Sequence, residues 1–282
     1  MTKEELFKTQ YGLFYMDPEF DSKFIPVNGS FHHAGILELL KPYITESSVI
    51  FDVGGHIGTF SIPLSYHAKL VRAFEPAIRS YSLLRKNIEI NKITNVETFN
   101  VGIGETASTA ELADVKTNNS GAQTLRLSQS NEGSIQIRPL SMFAPSEGKV
   151  SLLKIDVEGM EESVLKGAEE LIARDKPVIC IEVSLHALRS NGSSPSVIQK
   201  RLRRHGYEFY LPLKVQAEYQ LFRIKNLQFL TLVLSPRSFL FGGDSYGFDA
   251  LAFPKDYPIQ AETFSWMRLL KKLITKKVLG RF

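Results

Sequence analysis

The chain has 282 residues, of which 43% are hydrophobic and 23% are charged, and its formal net charge is +4. This composition is typical of a globular protein and excludes collagen-like, low-complexity and wholly disordered chains. A single cysteine, Cys180, excludes an intrachain disulfide framework and a cysteine-rich zinc site. The first residues lack a signal-peptide pattern and no apolar run is long enough to span a membrane, so we expect a cytoplasmic location.

Short apolar runs alternate with helical patterns through the first two thirds of the chain, whereas residues 1–30 show no clear period. A helical pattern at 31–43 comes first; the predicted strands are 49–53, 70–74, 96–101, 150–157 and 177–183, and the predicted helices are 59–67, 81–91 and 163–174. Apolar strands alternating with helices predict an α/β fold with a parallel sheet and helices on both faces. The polar residues 104–148 predict a long loop or a weak hairpin region.

The last third of the chain is less regular. A basic helix is predicted over 194–205, with Ser194 as its N-cap and Pro195 at its first position. Further strands are predicted at 207–213, 227–234 and 248–254.

A glycine-rich turn joins the first strand of the predicted sheet to the following helix, with the sequence Asp52-Val53-Gly54-Gly55-His56-Ile57-Gly58. Glycines allow the backbone to turn tightly and to approach a ligand, and ligands of open parallel sheets bind beyond the carboxyl ends of the strands. Glu75 ends the next strand, 23 residues after Asp52, where a carboxylate can accept hydrogen bonds from both ribose hydroxyls. Together these features predict an adenosine-type cofactor.

The spacing of these glycines distinguishes between cofactors. G-G-x-x-G is neither the dinucleotide fingerprint G-x-G-x-x-G nor a P-loop. Asp52 would repel a phosphate but attract the ammonium or sulfonium region of S-adenosylmethionine. A nicotinamide-dependent oxidoreductase is one alternative, which the spacing disfavours. A nucleic-acid-binding or nucleic-acid-modifying protein is the other, favoured by the net charge and by the basic residues 200–204, which are more simply a solvated helix face.

Four segments resemble the FkbM family of methyltransferases in sequence and in order: Asp52–Gly58, Ala73–Pro76, Leu153-Lys154-Ile155-Asp156-Val157-Glu158-Gly159-Met160-Glu161 and Val164–Ala168. The resemblance covers roughly residues 45–185. It implies a Rossmann-like class I methyltransferase fold, with a seven-stranded, mostly parallel sheet and helices on both faces. It also implies S-adenosylmethionine as the methyl donor and a hydroxyl group as the acceptor, in a small molecule or a glycan, and we favour a sugar over a polyketide.

The predicted donor-binding residues follow from the glycine turn and from the acid after the second strand of the sheet: Asp52, Gly54, Gly55, His56, Gly58, Glu75 and Pro76. The sequence departs from the family pattern at two places. The usual loop is Asp-Val-Gly-Ala-Asn-Ile-Gly, and here Gly55-His56 replaces Ala-Asn. Ser141 stands where the family often has an aspartate, so we assign no acid role there.

The candidate catalytic residues lie at or just after the carboxyl ends of the fourth and fifth strands of the predicted sheet: Asp156, Glu158, Glu182 and His186. In the implied strand order the fourth strand lies beside the first, so its carboxyl end faces the glycine turn. Methyl transfer to a hydroxyl needs the attacking oxygen about 3–3.5 Å from the methyl carbon and a base for its proton. Asp156 or Glu158 could instead hold a divalent metal that lowers the hydroxyl pKa, although the sequence does not indicate one. Glu161 and Glu162 are more simply helix-capping acids.

The positive charge is concentrated at the end of the chain. Residues 263–282 contain six lysines and arginines and no acid, so residues 1–262 carry a net charge of −2. Apolar residues of this segment share one broad helical face and most of its cations lie on the other, as in a helix that rests on anionic lipid or on its own domain. We therefore divide the chain into an N-terminal extension and helix (1–44), a methyltransferase domain (45–262) and a basic amphipathic helix (263–282) that could contact the cytoplasmic face of a membrane.

Overall fold

An eight-stranded mixed sheet forms the centre of the computed structural model, which describes residues 3–21, 24–31, 34–112, 125–127, 134–215, 218–234 and 248–259. The strands are β1 (Glu5–Thr9), β2 (Gly12–Met16), β3 (Val49–Val53), β4 (Leu70–Phe74), β5 (Val96–Phe99), β6 (Gly102–Ile103), β7 (Ser108–Leu112), β8 (Leu125–Leu127), β9 (Ile135–Arg138), β10 (Val150–Ile155), β11 (Val178–Val183), β12 (Tyr207–Val215), β13 (Glu218–Ile224) and β14 (Phe248–Pro254). The helices are α1 (Ala34–Leu40), α2 (Ser61–Ser65), α3 (Ile78–Ile90), α4 (Glu161–Gly167), α5 (Glu169–Asp175), α6 (Leu185–Ser190), α7 (Pro195–Arg204) and α8 (Leu227–Leu234).

The strand order of the central sheet is β13-β12-β14-β11-β10-β3-β4-β5. Neighbours from β11 to β5 are parallel, and β14 pairs antiparallel with both β11 and β12. The α/β fold and the mostly parallel sheet are therefore confirmed. The predicted count of seven strands was one too low, because β13 pairs antiparallel with the outer side of β12 and extends the sheet at that edge.

The chain leaves β3 in one direction, through β4 and β5, and returns to β10 on the other side of β3. Such a reversal opens a crevice beyond the carboxyl ends of the two central strands, where ligands of open α/β sheets bind. The fold therefore brings together the segments that follow β3 and β10.

Apolar side chains cover both faces of the sheet. Alternate residues of β3 point to opposite faces: Phe51 packs in a cluster with residues of α4, α5, α7 and α8, and Ile50 packs in a cluster with residues of β2, α1, α2 and α3. Both side chains are fully buried, as is the thiol of Cys180, which sits in the second cluster. Helices on both faces are thus confirmed.

The segment 227–234, predicted as a strand, is the helix α8. Its buried side chains, Leu227, Leu230 and Thr231, recur at helical spacing, and Phe229 is exposed. A short apolar run fits either structure by periodicity alone. The decisive local signal is Asn226, whose Oδ1 accepts a hydrogen bond from the backbone N–H of Phe229 at 2.9 Å, as an N-cap does.

The polar region 104–148, predicted as a long loop or a weak hairpin region, contains strands in its described residues, and the antiparallel pairing of β7 with β8 confirms the hairpin alternative. With β6, strands β7, β8 and β9 form a four-stranded sheet in the order β6-β9-β7-β8. Two further expectations need correction. The single helix predicted at 163–174 is divided into α4 and α5 at Ala168. The N-terminal residues, for which no element was predicted, form the hairpin of β1 and β2.

Other boundaries agree with the predictions. Ser194 caps α7 by accepting a hydrogen bond from the backbone N–H of Val197, and Pro195 is its first residue. Among the described residues, no helix is both long enough and apolar enough to cross a membrane. The predicted amphipathic helix at 263–282 lies outside the described residues.

Candidate active site at the carboxyl ends of the parallel strands

The glycine turn after β3 lies directly against the segment after β10. Gly54 has a φ of +86°, and a Cβ atom there would lie 1.8 Å from the carbonyl oxygen of Asp156. Its N–H and that of Gly55 both donate to the carbonyl oxygen of Phe74, at 3.0 Å each, which folds the turn back over the end of β4. The expected proximity of the glycine turn and Asp156 is therefore present.

We expect Gly54→Ala to lower the free energy of unfolding by about 3 kcal/mol or more, because it combines a left-handed backbone with a backbone clash. Gly148→Ala is the matched control, since Gly148 has a φ of +84° and nothing within 4 Å of an added Cβ. The control should lose only about 1 kcal/mol. Urea denaturation of both variants measures the difference, and equal losses would contradict the close contact between the two loops.

A buried lysine joins the two loops. Lys154 of β10 pairs in register with Asp52 of β3, and its Nζ lies 3.4 Å from Oδ1 of Asp52 and 3.3 Å from Oδ2 of Asp156. The same ammonium donates a hydrogen bond to the carbonyl oxygen of Gly54 at 3.0 Å. Burial would lower the pKa of Lys154, but Asp156 and Asp52 outweigh it and raise that pKa. Lys154 therefore stays charged and fixes the two loops relative to each other.

The carboxylate of Asp52 is bound by two side chains of this chain, those of Ser61 and Lys154. Its side chain is fully buried, and Ser61 donates a hydrogen bond to Oδ2 at 2.5 Å. Burial raises the pKa of Asp52, and the charge of Lys154 partly offsets that effect. Lys154 compensates the charge of Asp52 within the chain. The expected attraction of Asp52 to a cationic ligand stays a prediction.

Glu75 connects the glycine turn to the start of α3. Oε2 accepts a hydrogen bond from the N–H of His56 and Oε1 accepts one from the N–H of Ala77, both at 2.8 Å. Burial raises the pKa of Glu75 to about 7, although these two N–H groups act in the opposite direction. Each carboxylate oxygen retains a further acceptor site, so the two ribose hydroxyls of a nucleoside fit this group. Pro76 follows, and its carbonyl oxygen accepts a hydrogen bond from the side chain of Asn100.

Three of the four candidate catalytic residues form one cluster. Asp156, Glu158 and Glu182 are partly exposed and each contributes an oxygen atom within 4.8 Å of the others. Burial and the neighbouring charges of Asp156 and Glu158 raise the pKa of Glu182 well above its usual range. Burial acts in the same direction on Asp156, but Lys154 outweighs it and lowers the pKa of that carboxyl, which also shares a hydrogen bond with Glu182. The surroundings therefore favour the ionised form of Asp156 and the protonated form of Glu182.

A fourth acid extends this cluster. Asp249 of β14 pairs in register with Glu182 of β11, and burial followed by the charge of Asp156 raises its pKa to about 6. Sequence reasoning missed Asp249, because its position follows only from the antiparallel pairing of β14 with β11. It also missed Lys154, for which a signal existed: a lysine inside an apolar strand needs buried partners.

Glu161 holds the turn that carries Asp156 and Glu158. Its side chain is 2% exposed, and Oε1 accepts hydrogen bonds from the N–H of Gly159 at 2.9 Å and of Val157 at 3.4 Å. The turn is left-handed at Glu158 and Gly159, with φ values of +51° and +106°. Burial raises the pKa of Glu161 to about 7. The predicted capping role thus takes the form of a clamp on the preceding turn.

His186, His56 and Gly58 are the remaining predicted site residues. His186 is exposed on α6, and among the described residues it is not part of the cluster of Asp156, Glu158 and Glu182. Its catalytic role stays a prediction. The ring of His56 is buried and packs against Phe24, with ring centroids 4.4 Å apart. Gly58 has a φ of +93°, and an added Cβ would clash with Leu84.

Comparison with known proteins identifies relatives of this chain. The family model described as the Methyltransferase FkbM domain matches residues 52–209. The chain is 29% identical over 151 residues to Methyltransferase 1 of Beauveria bassiana (strain ARSEF 2860), covering 44% of this chain and 60% of that protein. It is 28% identical over 163 residues to Methyltransferase sdnD of Sordaria araneosa, covering 45% and 62%. The aligned region thus spans about three fifths of each of these curated relatives.

Solved structures give weaker likenesses. The crystal structure of Methyltransferase FkbM from Methylobacillus flagellatus KT covers 74% of this chain and 44% of its own, with a TM-score of 0.46 and 17% identity. The structure of M. jannaschii TYW2 in complex with AdoMet covers 90% of this chain and 86% of its own, with a TM-score of 0.47 and 16% identity.

Proposed function

The chain belongs to the FkbM methyltransferase family, and from that premise we propose that it transfers a methyl group from S-adenosylmethionine to a hydroxyl of a small molecule or glycan. The observation that carries the proposal is the Asp156 carboxylate. Its side chain is 39% exposed beside the glycine turn, and Lys154 favours its ionised form. An ionised, accessible carboxylate at this position can accept the proton that a hydroxyl loses as it attacks.

The residues around the glycine turn fit the methyl donor. Bound S-adenosylmethionine supplies a methyl group activated by the adjacent sulfonium. Glu75 would accept hydrogen bonds from the ribose hydroxyls, and the turn from Gly54 to Gly58 would allow the backbone to approach the donor. Asp156 would then hold the acceptor hydroxyl in line with the methyl group, and Glu182 would keep Asp156 oriented through their shared hydrogen bond.

The charge of the cluster supports a neutral, hydroxylated acceptor. Asp156, Glu158 and Glu182 converge at this edge, and the carboxylate oxygens of Asp156 and Glu158 can accept hydrogen bonds from neighbouring hydroxyls, as a sugar presents them. The same carboxylates would repel the phosphates of a nucleic acid. A sugar hydroxyl is therefore our favoured acceptor.

Titration calorimetry tests the donor assignment. We expect S-adenosylmethionine and S-adenosylhomocysteine to bind and NADH to give no heat of binding, because the glycine spacing suits no pyrophosphate. Binding of NADH alone would contradict the proposal and favour an oxidoreductase. Isotope-labelled methyl transfer to a panel of sugars and polyketides then identifies the acceptor class.

The same transfer assay separates two ways of activating the hydroxyl. Asp156 can act as a base, or Asp156, Glu158 and Glu182 can hold a divalent metal that lowers the hydroxyl pKa. Activity that survives excess chelator supports the base. Activity that is lost with the chelator and restored by Mg²⁺ assigns the activation to a metal.

A further inference from the structure

The segment before α1 lies across the loops that the proposed donor would contact. We call residues 12–21 and 24–31 the N-terminal cap. Asn87 of α3 and Asn91, the residue that caps the end of α3, bind strand β2 of the cap as a neighbouring strand would. The side chain of Asn91 accepts a hydrogen bond from the N–H of Leu13 at 2.8 Å and donates one to its carbonyl oxygen at 2.6 Å. This pairing fixes the register of the cap on α3.

Asn87 extends the same pairing to the glycine turn. Its side chain accepts from the N–H of Tyr15 at 2.6 Å and donates to the carbonyl oxygens of Tyr15, at 3.2 Å, and of Ile57, at 2.9 Å. Asn87 is fully buried. One amide group therefore ties the cap to the turn that follows β3.

Two aspartates of the cap contact the segments that follow β3 and β4. Asp17 forms an ion pair with Arg79 of α3, which follows Glu75, at 2.8 Å between Oδ2 and Nη2. Asp21 lies 3.7 Å from the His56 ring, measured from Oδ1 to Nε2. Both aspartates are buried, and the N–H of Asp17 donates to Oδ2 of Asp21 at 2.8 Å. The cap thus spans the loops after β3 and β4.

His56 is the side chain of the glycine turn that meets the cap. It adopts a left-handed conformation with a φ of +48°, which aims its buried ring at Phe24 and Asp21. Burial lowers the pKa of His56 to about 4, so the ring is neutral at pH 7 and its contact with Phe24 is one of packing. His56 is also where this sequence departs from the family's asparagine, and the cap lies outside the matched residues 52–209.

We propose that His56 is a positioning residue that holds the N-terminal cap against the glycine turn through its contacts with Asp21 and Phe24, which we call the latch. The latch sets the rate at which the methyl donor and its demethylated product dissociate. The proposal rests on the proposed function for its ligand. It does not rest on that function for the latch itself, because the contacts among His56, Asp21 and Phe24 exist without a ligand.

The test compares two latch variants with one control in the full chain. His56→Asn keeps a residue that tolerates the left-handed backbone but removes the ring. Phe24→Leu removes the ring on the cap side and keeps an apolar side chain. Val27→Ala is the control, since Val27 lies in the same cap and is 74% exposed. The measurements are the dissociation rate of S-adenosylhomocysteine by stopped flow, amide hydrogen exchange in residues 12–21, and thermal unfolding.

We expect both latch variants to raise the dissociation rate by about tenfold and to speed exchange in the cap, because changes at a packed interface act mainly on dissociation. Val27→Ala should match the wild type in both the dissociation rate and the exchange rate.

Faster exchange in the cap with unchanged dissociation would overturn the role of the cap in retention of the ligand. Faster dissociation with unchanged exchange would mean that His56 acts on the ligand directly and would overturn the latch. If the wild type binds no S-adenosylhomocysteine, the proposed function fails, and exchange alone decides the latch: unchanged exchange in both variants overturns it.

Discussion

Replacing Asp156 with asparagine is expected to lower kcat by about 10²–10⁴-fold, the range that a positioned general base contributes. The amide has the shape of the carboxylate and can still accept a hydrogen bond from Lys154, whose Nζ lies 3.3 Å from Oδ2 of Asp156. It cannot take up a proton from the attacking hydroxyl. The affinity for S-adenosylhomocysteine should therefore change by less than about threefold, so that the loss appears in turnover. Labelled methyl transfer at saturating donor measures it.

Glu182→Gln provides the matched control for this assignment. Burial and the neighbouring acids hold the pKa of Glu182 well above its usual range, which favours its protonated form, and a glutamine amide can donate the hydrogen bond that this form gives to Asp156. We expect this variant to keep kcat within about threefold of the wild type. A loss in Glu182→Gln as large as in Asp156→Asn would contradict the division of roles. Activity of Asp156→Asn within about threefold of the wild type would remove Asp156 as the base.

The central part of the site could be predicted because parallel strands place their carboxyl ends at one edge. Asp156 and Glu182 each stand at or just after the end of an apolar run, and Glu75 does the same after β4. Knowing that these runs are neighbouring strands is enough to bring the acids together, without any knowledge of side-chain geometry.

Residues whose role depends on register could not be predicted in the same way. Lys154 meets Asp52 because the two are paired across β10 and β3, and Asp249 meets Glu182 because β14 runs antiparallel beside β11. A shift of one residue would send these side chains to the other face of the sheet. The pattern of apolar residues predicts most of the strands of this sheet but not how they align.

The N-terminal hairpin escaped prediction for another reason. Beyond the pairing of β1 with β2, the outer edge of β2 is bound by the side chains of Asn87 and Asn91, which lie more than 70 residues away in the chain. The residue pattern of the hairpin alone does not predict that contact. A similar limit applies to α8, where eight mostly apolar residues fit a strand as well as a helix and the cap at Asn226 alone favoured the helix.

The affinity of the free protein for S-adenosylmethionine is expected to rise with pH by about tenfold per unit below pH 7, and to level off above it. The cause is Glu75, whose pKa burial raises to about 7. Ribose hydroxyls donate to its ionised form, so binding favours loss of the proton. At pH 5.5 the carboxyl is mostly protonated and must ionise before it can accept both hydroxyls, whereas at pH 8 it is already ionised. Calorimetry in buffers with different ionisation enthalpies measures the released proton.

Glu75→Gln removes this titration. Its donor affinity should vary less with pH, and at pH 8 it should be weaker than that of the wild type by about 1.5–3 kcal/mol, the contribution of one charge-assisted hydrogen bond. The contribution of Glu75 to folding stability changes with pH in the opposite direction to its contribution to donor affinity. A pKa raised from 4.5 to about 7 stabilises the ligand-free fold most below pH 4.5, and that contribution is lost as the pH rises through 7. The Glu75→Gln variant should therefore show a flatter stability profile between these two pH values.

Glu161→Gln is the matched control for Glu75→Gln, because burial raises the pKa of Glu161 to the same value at a position that clamps the turn after β10. It should retain the rise of donor affinity with pH, since its carboxyl accepts from backbone N–H groups of Gly159 and Val157 and faces no ribose in the proposed site. If donor affinity loses its pH dependence in Glu161→Gln, or keeps it in Glu75→Gln, the titrating group is another acid and the ribose assignment of Glu75 is wrong. If the pH dependence is kept in Glu161→Gln and lost in Glu75→Gln, the proton released on binding comes from Glu75.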